Sequence, residues 1–322
     1  NVYKIDPSGM IEVGNWSVSG YIFRDYNSIT ATGGFVYPSI RKSGGGSDRI
    51  YKIDTSNMTG STYYASSQVM FGVDNDGTYV YLAKGNAGSP TVVKLLASNL
   101  TLDSTWTGGA SDFNSGDLIH SGGTLYWKGT TASGGATAKV NKISTSTMTT
   151  SGSWASGYPV NNVNDCNLTL SGSALYCASD DNSSTPGKIV SIETGGMTET
   201  GRMLGGWGHD AYTDESSAFD TDGTFLYAGA RQDVGLVSKV NVSNMTEVGF
   251  WAVDDITYPY LYGYIYSLTQ MGGFVYAGTC LGAPTCSNAK VVKIQASDMS
   301  QVSVWNGTSG ALEPRTMVND GT

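Results

Sequence analysis

Histidine is nearly absent: His120 and His209 are the only two in 322 residues, and that thins the available chemistry at once. Neither sits near a Gly-x-Ser-x-Gly nucleophile turn, and Asp210, which follows His209 directly, would point away from it on extended backbone. No hydrolytic triad is expected. Charge is also scarce, at 14% of residues, and the net −9 arises from 27 acidic and 18 basic side chains without blocks of either sign. Such a chain offers no electrostatic footprint for nucleic acid or anionic lipid. No apolar run approaches the ~18 residues of a membrane span. The sequence starts without an initiator Met or a signal-like stretch, and reads as a mature or excised piece. Helix signals are almost absent.

Cysteines number four, in two close pairs, Cys166/Cys177 and Cys280/Cys286. They lack the C-x-x-C spacing and the histidines of a zinc site, so local disulfides are expected. The first would flank the turn Leu170–Ser173; the second would pinch a loop holding Gly282 and Pro284. Both imply an oxidising compartment. No cofactor motif, metal set or catalytic constellation emerges.

What is present is repetition. Lys4, Met10 and Trp16 stand six positions apart, and the spacing returns at Lys52/Met58/Tyr64, Lys94/Leu100/Trp106, Lys142/Met148/Trp154, Lys239/Met245/Trp251 and Lys293/Met299/Trp305. A worn copy is Ser191/Met197/Met203. The anchors recur 42 to 54 residues apart, a period of stacked supersecondary units. Within 65–106 the apolar alternation predicts four strands, Gln68–Val73, Thr78–Ala83, Val92–Leu96 and Leu100–Trp106. The second strand carries a marker, Gly-x-x-x-Tyr or Gly-Gly-x-x-Tyr, ending at Tyr37, Tyr81, Tyr126, Tyr176, Tyr227 and Tyr276.

Four antiparallel strands per repeat without helices predict an all-β protein, a seven-bladed β-propeller in one domain spanning 1–322. Full blades are expected at 17–64, 65–106, 107–154, 155–203, 204–251 and 252–305. The seventh would be split, with its third and fourth strands from 1–16 and its first from 306–322. Its second strand would lie in flanking sequence or come from another subunit, or the ring is not closed in this way. The tyrosines should pack between sheets with each phenol on a backbone partner, and Met and Trp should fill the layers between blades. The lysines, flanked by aliphatic residues, are expected at the wet edge of each blade, discouraging edge pairing.

Asp74-Asn75-Asp76-Gly77 and Asp220-Thr221-Asp222-Gly223 resemble the start of a calcium loop, but other repeats place Gly-Gly there and no distal Glu follows. A tight hairpin turn accounts for every variant. Asn-x-Ser/Thr acceptors occur at Asn15, Asn57, Asn99, Asn167, Asn182, Asn241, Asn244 and Asn306, three of them (Asn57, Asn99, Asn244) immediately before a Met or Leu anchor. They predict a row of surface sugars. Tyr258, Tyr260, Tyr262, Tyr264 and Tyr266 alternate strictly, so an extended strand would align them to stack on a glycan or a partner. Trp207 and Tyr26 occupy matching segments. Asp254, Asp255 and Asp210 are the acids a secreted lyase or hydrolase would use at the channel mouth.

Gly-x-x-x-Tyr followed by Val-Val-Lys-Ile and an Asn-Met-Thr turn resembles surface-layer-type propeller repeats, similar to the YVTN type. The resemblance implies a secreted or cell-surface scaffold. The expected function is therefore an extracellular, N-glycosylated structural or assembly propeller, a subunit of a surface layer, sheath or filamentous appendage. Self-association, or contact with other cell-surface proteins, is the expected partnership. The alternative is a carbohydrate-binding propeller using the tyrosine-rich loops.

Overall fold

The computed structural model describes every residue except 24–27, 86–89, 110–111, 113–115, 132–136, 157–167, 180–187, 205–215, 233–234, 253–262, 282–287, 308–313 and 320–322. Described residues form strands and turns, with no helix. They divide into two compact units, one comprising 1–6, 12–164 and 318–322, the other 7–11 and 165–317.

In the first unit, β1 (Val2–Asp6) and β2 (Ile11–Trp16) make a two-stranded sheet. The next sheet contains β3 (Tyr21–Ile22), β4 (Ile29–Thr32), β5 (Phe35–Lys42), β6 (Asp48–Asp54) and β7 (Thr59–Ser66), with β3 and β4 both pairing β5. Two regular four-stranded antiparallel sheets follow. They are β8 (Val69–Asn75), β9 (Tyr79–Gly85), β10 (Thr91–Leu96) and β11 (Leu102–Thr107), then β12 (Leu118–Ser121), β13 (Thr124–Thr130), β14 (Ala138–Ser144) and β15 (Thr149–Ala155).

The second unit holds β16 (Leu168–Ser171), β17 (Ala174–Ser179), β18 (Lys188–Glu193) and β19 (Thr198–Leu204) as one sheet. Two more blades, β20 (Ser216–Thr221) to β23 (Thr246–Ala252) through β21 (Phe225–Gln232) and β22 (Leu236–Asn241), and β24 (Gly263–Met271) to β27 (Gln301–Asn306) through β25 (Phe274–Leu281) and β26 (Asn288–Gln295), are linked where Arg231 pairs Tyr264.

The predicted strands of 65–106 differ from β8–β11 by no more than two residues at any end. The blade count differs from the expected seven. Six four-stranded blades form, and the seventh is represented by β1 and β2 alone, because residues 314–319 carry no strand.

Every blade turns from its third to its fourth strand in one way. Met10, Met58, Leu100, Met148, Met197, Met245 and Met299 have φ between 49° and 59°, and they are the only non-glycine residues with positive φ among the described ones. The N–H of Leu100 closes back on the Leu96 carbonyl at 2.7 Å, as Met245 does on Asn241 and Met299 on Gln295, both at 2.9 Å. A left-handed residue after such a turn is ordinarily Gly or Asn, since a Cβ costs about 1–2 kcal/mol there. Burial offsets that cost: Leu100 is 3% exposed and Met299 5%. The spacing read from sequence as packing is packing, with a strained backbone beneath it that periodicity does not reveal.

The lysines are not at a wet edge. Lys52 Nζ donates to the Ser98 carbonyl at 2.8 Å and Lys94 Nζ to Thr145 at 3.1 Å, each on the corresponding turn of the following blade. Lys239 reaches Ala296 at 2.6 Å and Lys293 reaches Pro7 at 2.8 Å. Each ammonium also lies over a ring that opens the second strand, 3.9 Å from Phe35 and from Tyr79, and 4.1 Å from Phe225 and from Phe274. Turn carbonyls left without strand partners attract the cation, and the ring shields its stem, so the lysine staples blade to blade.

Candidate functional site

The residues singled out for ligand binding fall largely outside the described structure. Tyr26, Trp207, Tyr258, Tyr260 and Tyr262 lie among the undescribed residues, as do His209, Asp210, Asp254 and Asp255. Tyr264 is placed only by its backbone, opposite Cys280 in β24–β25. A bulge shifts the register between Ile265 and Ser267, and Ile265 and Tyr266 are both buried; of the five alternating tyrosines only Tyr266 has a described side chain. Of the cysteines, Cys177 is buried in β17 opposite Leu168, Cys280 is known by backbone alone, and Cys166 and Cys286 are outside the described residues.

The acidic turns are occupied by the fold itself. Asp76 accepts N–H bonds from Thr78 and Tyr79 at 2.9 and 2.7 Å and the Tyr81 hydroxyl at 2.7 Å. Asp222 repeats this with Thr224, Phe225 and Tyr227. Burial alone would raise both carboxyls, but the donated bonds outweigh it and hold each below the ordinary aspartate range. Their neighbours behave oppositely. Asp74 and Asp220 are deeply buried, and desolvation pushes them up despite N–H bonds from His120 and Gln270, both at 2.6 Å. Each therefore ties its own first strand to that of the next blade.

Tyr37 donates to the Ala97 carbonyl at 2.9 Å, the backbone partner expected from sequence, and burial raises it to about 12. Tyr81 and Tyr227 instead bond a carboxylate, which sequence reading missed. The signal was available: both belong to the repeats whose turn reads Asp-x-Asp-Gly. His120 stacks on Tyr81 at 5.6 Å, and its Nε2 is a buried atom without a hydrogen-bond partner.

The glycosylation candidates divide. Asn57, Asn99 and Asn244 are exposed, and each Oδ1 accepts both the N–H and the hydroxyl of the Thr two residues on, at 2.6 to 3.2 Å. Asn15 and Asn306 are exposed in β2 and β27, and Asn15 Nδ2 is held by Glu12 at 2.8 Å. Asn241 is half-buried, its Oδ1 engaged by Ser243. Asn167 and Asn182 are outside the described residues. Asn15 and Asn57 share an open groove of about 420 Å³ with Lys4, Gly14, Thr55 and Met58.

One constellation escaped sequence reading altogether. Arg49 on β6 carries its guanidinium 4.2 Å from the Tyr63 ring and 5.0 Å from the Tyr21 ring, and Nη1 donates to the Tyr51 hydroxyl at 2.8 Å. Tyr51 in turn lies 5.0 Å from Trp16 and 5.3 Å from Tyr63. Strand β6 supplies Arg49 and Tyr51 on one face, β7 sets Tyr63 directly opposite Tyr51, and β3 brings in Tyr21 through its pairing with the end of β5.

Comparison among blades isolates what is special. The Tyr51/Tyr63 pair corresponds to Val93/Thr105, Asn141/Ser153, Val190/Arg202, Ser238/Phe250 and Val292/Val304 elsewhere. Arg49 itself corresponds to Lys139, which is paired with Asp112 at 2.6 Å. Among the described residues no carboxylate pairs with Arg49, and its Nε is buried without a hydrogen-bond partner. Aligning the repeats on their lysines would have exposed this, since Arg-Ile-Tyr-Lys occurs once.

The sequence matches no established family profile, and a search of curated proteins finds no relative. Solved structures do resemble it in shape. A chain of a mitotic checkpoint complex superposes with a TM-score of 0.63 at 14% identity over 91% of this chain and 82% of its own. A chain of hydrazine synthase from Kuenenia stuttgartiensis gives 0.63 at 15% identity over 95% and 94%. BamB from Moraxella catarrhalis gives 0.50 at 16% identity over 77% and 68%. Likeness at this identity concerns fold alone, and with the repeated four-stranded antiparallel sheets it places the chain in the β-propeller class.

Proposed function

We propose that the chain is an extracellular, N-glycosylated propeller with a structural or assembly role, a subunit of a surface layer, sheath or filamentous appendage, and not an enzyme. One observation carries this reading: the outermost strands of the blades keep large apolar side chains in solvent. Val13, Leu102, Val248, Phe250 and Val302 are 46 to 53% exposed, all on strands at the edge of their sheets. A sheet edge with unpaired backbone groups and apolar side chains is a template for a second chain. Among the described residues the recurring lysines join blade to blade, as do Asp74 and Asp220, while Asp76 and Asp222 brace their own turns.

The exposed Asn57, Asn99 and Asn244 support sugar attachment, since each lies on the surface in an ordered turn that its Oδ1 holds. Light scattering across a concentration series, with electron microscopy of the native material, tests the assembly role. Ordered oligomers that Val248→Lys and Phe250→Lys disperse are expected; wild-type protein that stays monomeric at every concentration defeats the proposal. Intact mass before and after enzymatic deglycosylation tests the sugars, with a loss of carbohydrate mass expected.

A further inference from the structure

We infer that the Arg49 cluster on the first full blade is a binding site for a carboxylate-bearing saccharide. The argument starts from the geometry of the guanidinium. The Tyr21 and Tyr63 rings lie 5.0 and 4.2 Å from it, and its Nε is a buried donor without a hydrogen-bond partner. Among the described residues the guanidinium makes one hydrogen bond, from Nη1 to the Tyr51 hydroxyl. The in-plane donors of a guanidinium match a carboxylate fork, and the neighbouring rings restrict the side chain, so less entropy remains to be lost on binding.

Charge bookkeeping within the repeats points the same way. At the equivalent position of another blade, Lys139 is neutralised by Asp112 at 2.6 Å. Arg49 has rings beside it and no acid among the described residues, and an acid from outside would complete the pair. The saccharide part follows from what surrounds the charge. Tyr63 is 48% exposed, offering a flat apolar face and a hydroxyl to a pyranose ring, and Tyr21 adds a second partly exposed ring. A large rigid surface with polar tips suits a hydroxylated ring better than an aliphatic acid. The site is independent of the outer-strand apolar residues invoked for assembly, because Val248, Phe250 and Val302 lie on other blades.

Titration of the intact chain with a galacturonate hexamer, followed by calorimetry, tests the inference, with a neutral galactose hexamer and a glutamate hexapeptide as comparison ligands. Saturable binding of the galacturonate hexamer is expected, at least tenfold tighter than either comparison. Arg49→Lys should weaken it about tenfold by losing the fork, and Tyr63→Ala should weaken it severalfold, whereas Phe250→Ala should leave it unchanged. Circular dichroism melts of each variant establish that it is folded; Tyr63→Ala, at an exposed position, decides the matter should Arg49→Lys unfold. Absence of binding, equal binding of the glutamate peptide or the neutral hexamer, or affinity untouched in the folded variants would overturn the assignment.

Discussion

Replacing Lys239 by Met keeps the length and apolar volume of the side chain while deleting its charge, and so tests whether the lysines staple the blades. Lys239 Nζ lies 2.6 Å from the Ala296 carbonyl, 3.3 Å from that of Ser297 and 4.1 Å from the Phe225 ring, with the residue 7% exposed. Charge-assisted hydrogen bonds contribute about 1.5–3 kcal/mol, and a shielded cation–π contact about 1–2. Burying an ammonium among neutral partners opposes both, and removing it relieves that cost. The variant nevertheless leaves turn carbonyls unpaired, so a net loss of about 2 kcal/mol is expected. At roughly 2 °C per kcal/mol for a chain of this size, scanning calorimetry should show Tm lowered by about 4 °C. Combining it with Phe225→Ala should reveal a coupling of about 1 kcal/mol, because the ring acts through the cation. A K239M protein as stable as wild type, or two strictly additive substitutions, would refute the reasoning.

Tyr81→Phe removes the hydroxyl donor to Asp76 and should cost about 1–2 kcal/mol at neutral pH, measured by thermal melts. Asp76 is held below its unfolded value, so its contribution is present at neutral pH and lost as pH falls through its folded titration; the difference between variant and wild type should shrink in acid. Leu100→Gly relieves about 1–2 kcal/mol of left-handed backbone cost but empties a site 3% exposed, a loss of about 2–5, so denaturant melts should show net destabilisation. Asn244→Asp should retain wild-type stability while abolishing any sugar at that position, whereas Asn244→Ala should lose about 1 kcal/mol; calorimetry and intact mass read the two effects separately.

The repeat period, four-stranded units and strand positions were legible because they rest on alternation and turn composition, which each residue expresses locally. Lys94 shows where legibility stops. Its aliphatic neighbours suggest an exposed polar face, yet its partner is the Thr145 carbonyl 51 positions away, on a turn whose shape no local pattern encodes. The split blade failed for a similar reason: the Asn319-Asp320-Gly321 signal announces a turn, but strand formation at 314–319 needs a paired neighbour. The Arg49 cluster was hidden differently. Attention to what recurs passes over a set whose meaning is that it occurs once.

Internal repeats can supply their own controls, and two comparisons show how far that reaches. In the fourth full blade Ser191 replaces the lysine and Ala174 the ring beneath it, whereas the third keeps Lys142 with Thr124 at the ring position, so the lysine persists where the ring does not. Likewise the turn before Met299 uses Asp298, whose Oδ1 accepts the N–H and hydroxyl of Ser300 at 3.0 and 2.7 Å, just as Asn244 does with Thr246. Asp cannot carry an N-linked sugar. An Asx residue two before a hydroxyl thus braces four of the seven turns, whereas Gly9, Thr147 and Gly196 stand there in the others, and the Asn-Met-Thr row has a structural use whether or not sugar is attached. What the turn does not dictate is Asn over Asp at three of these positions, and it is that choice, at exposed residues, on which the glycosylation reading stands.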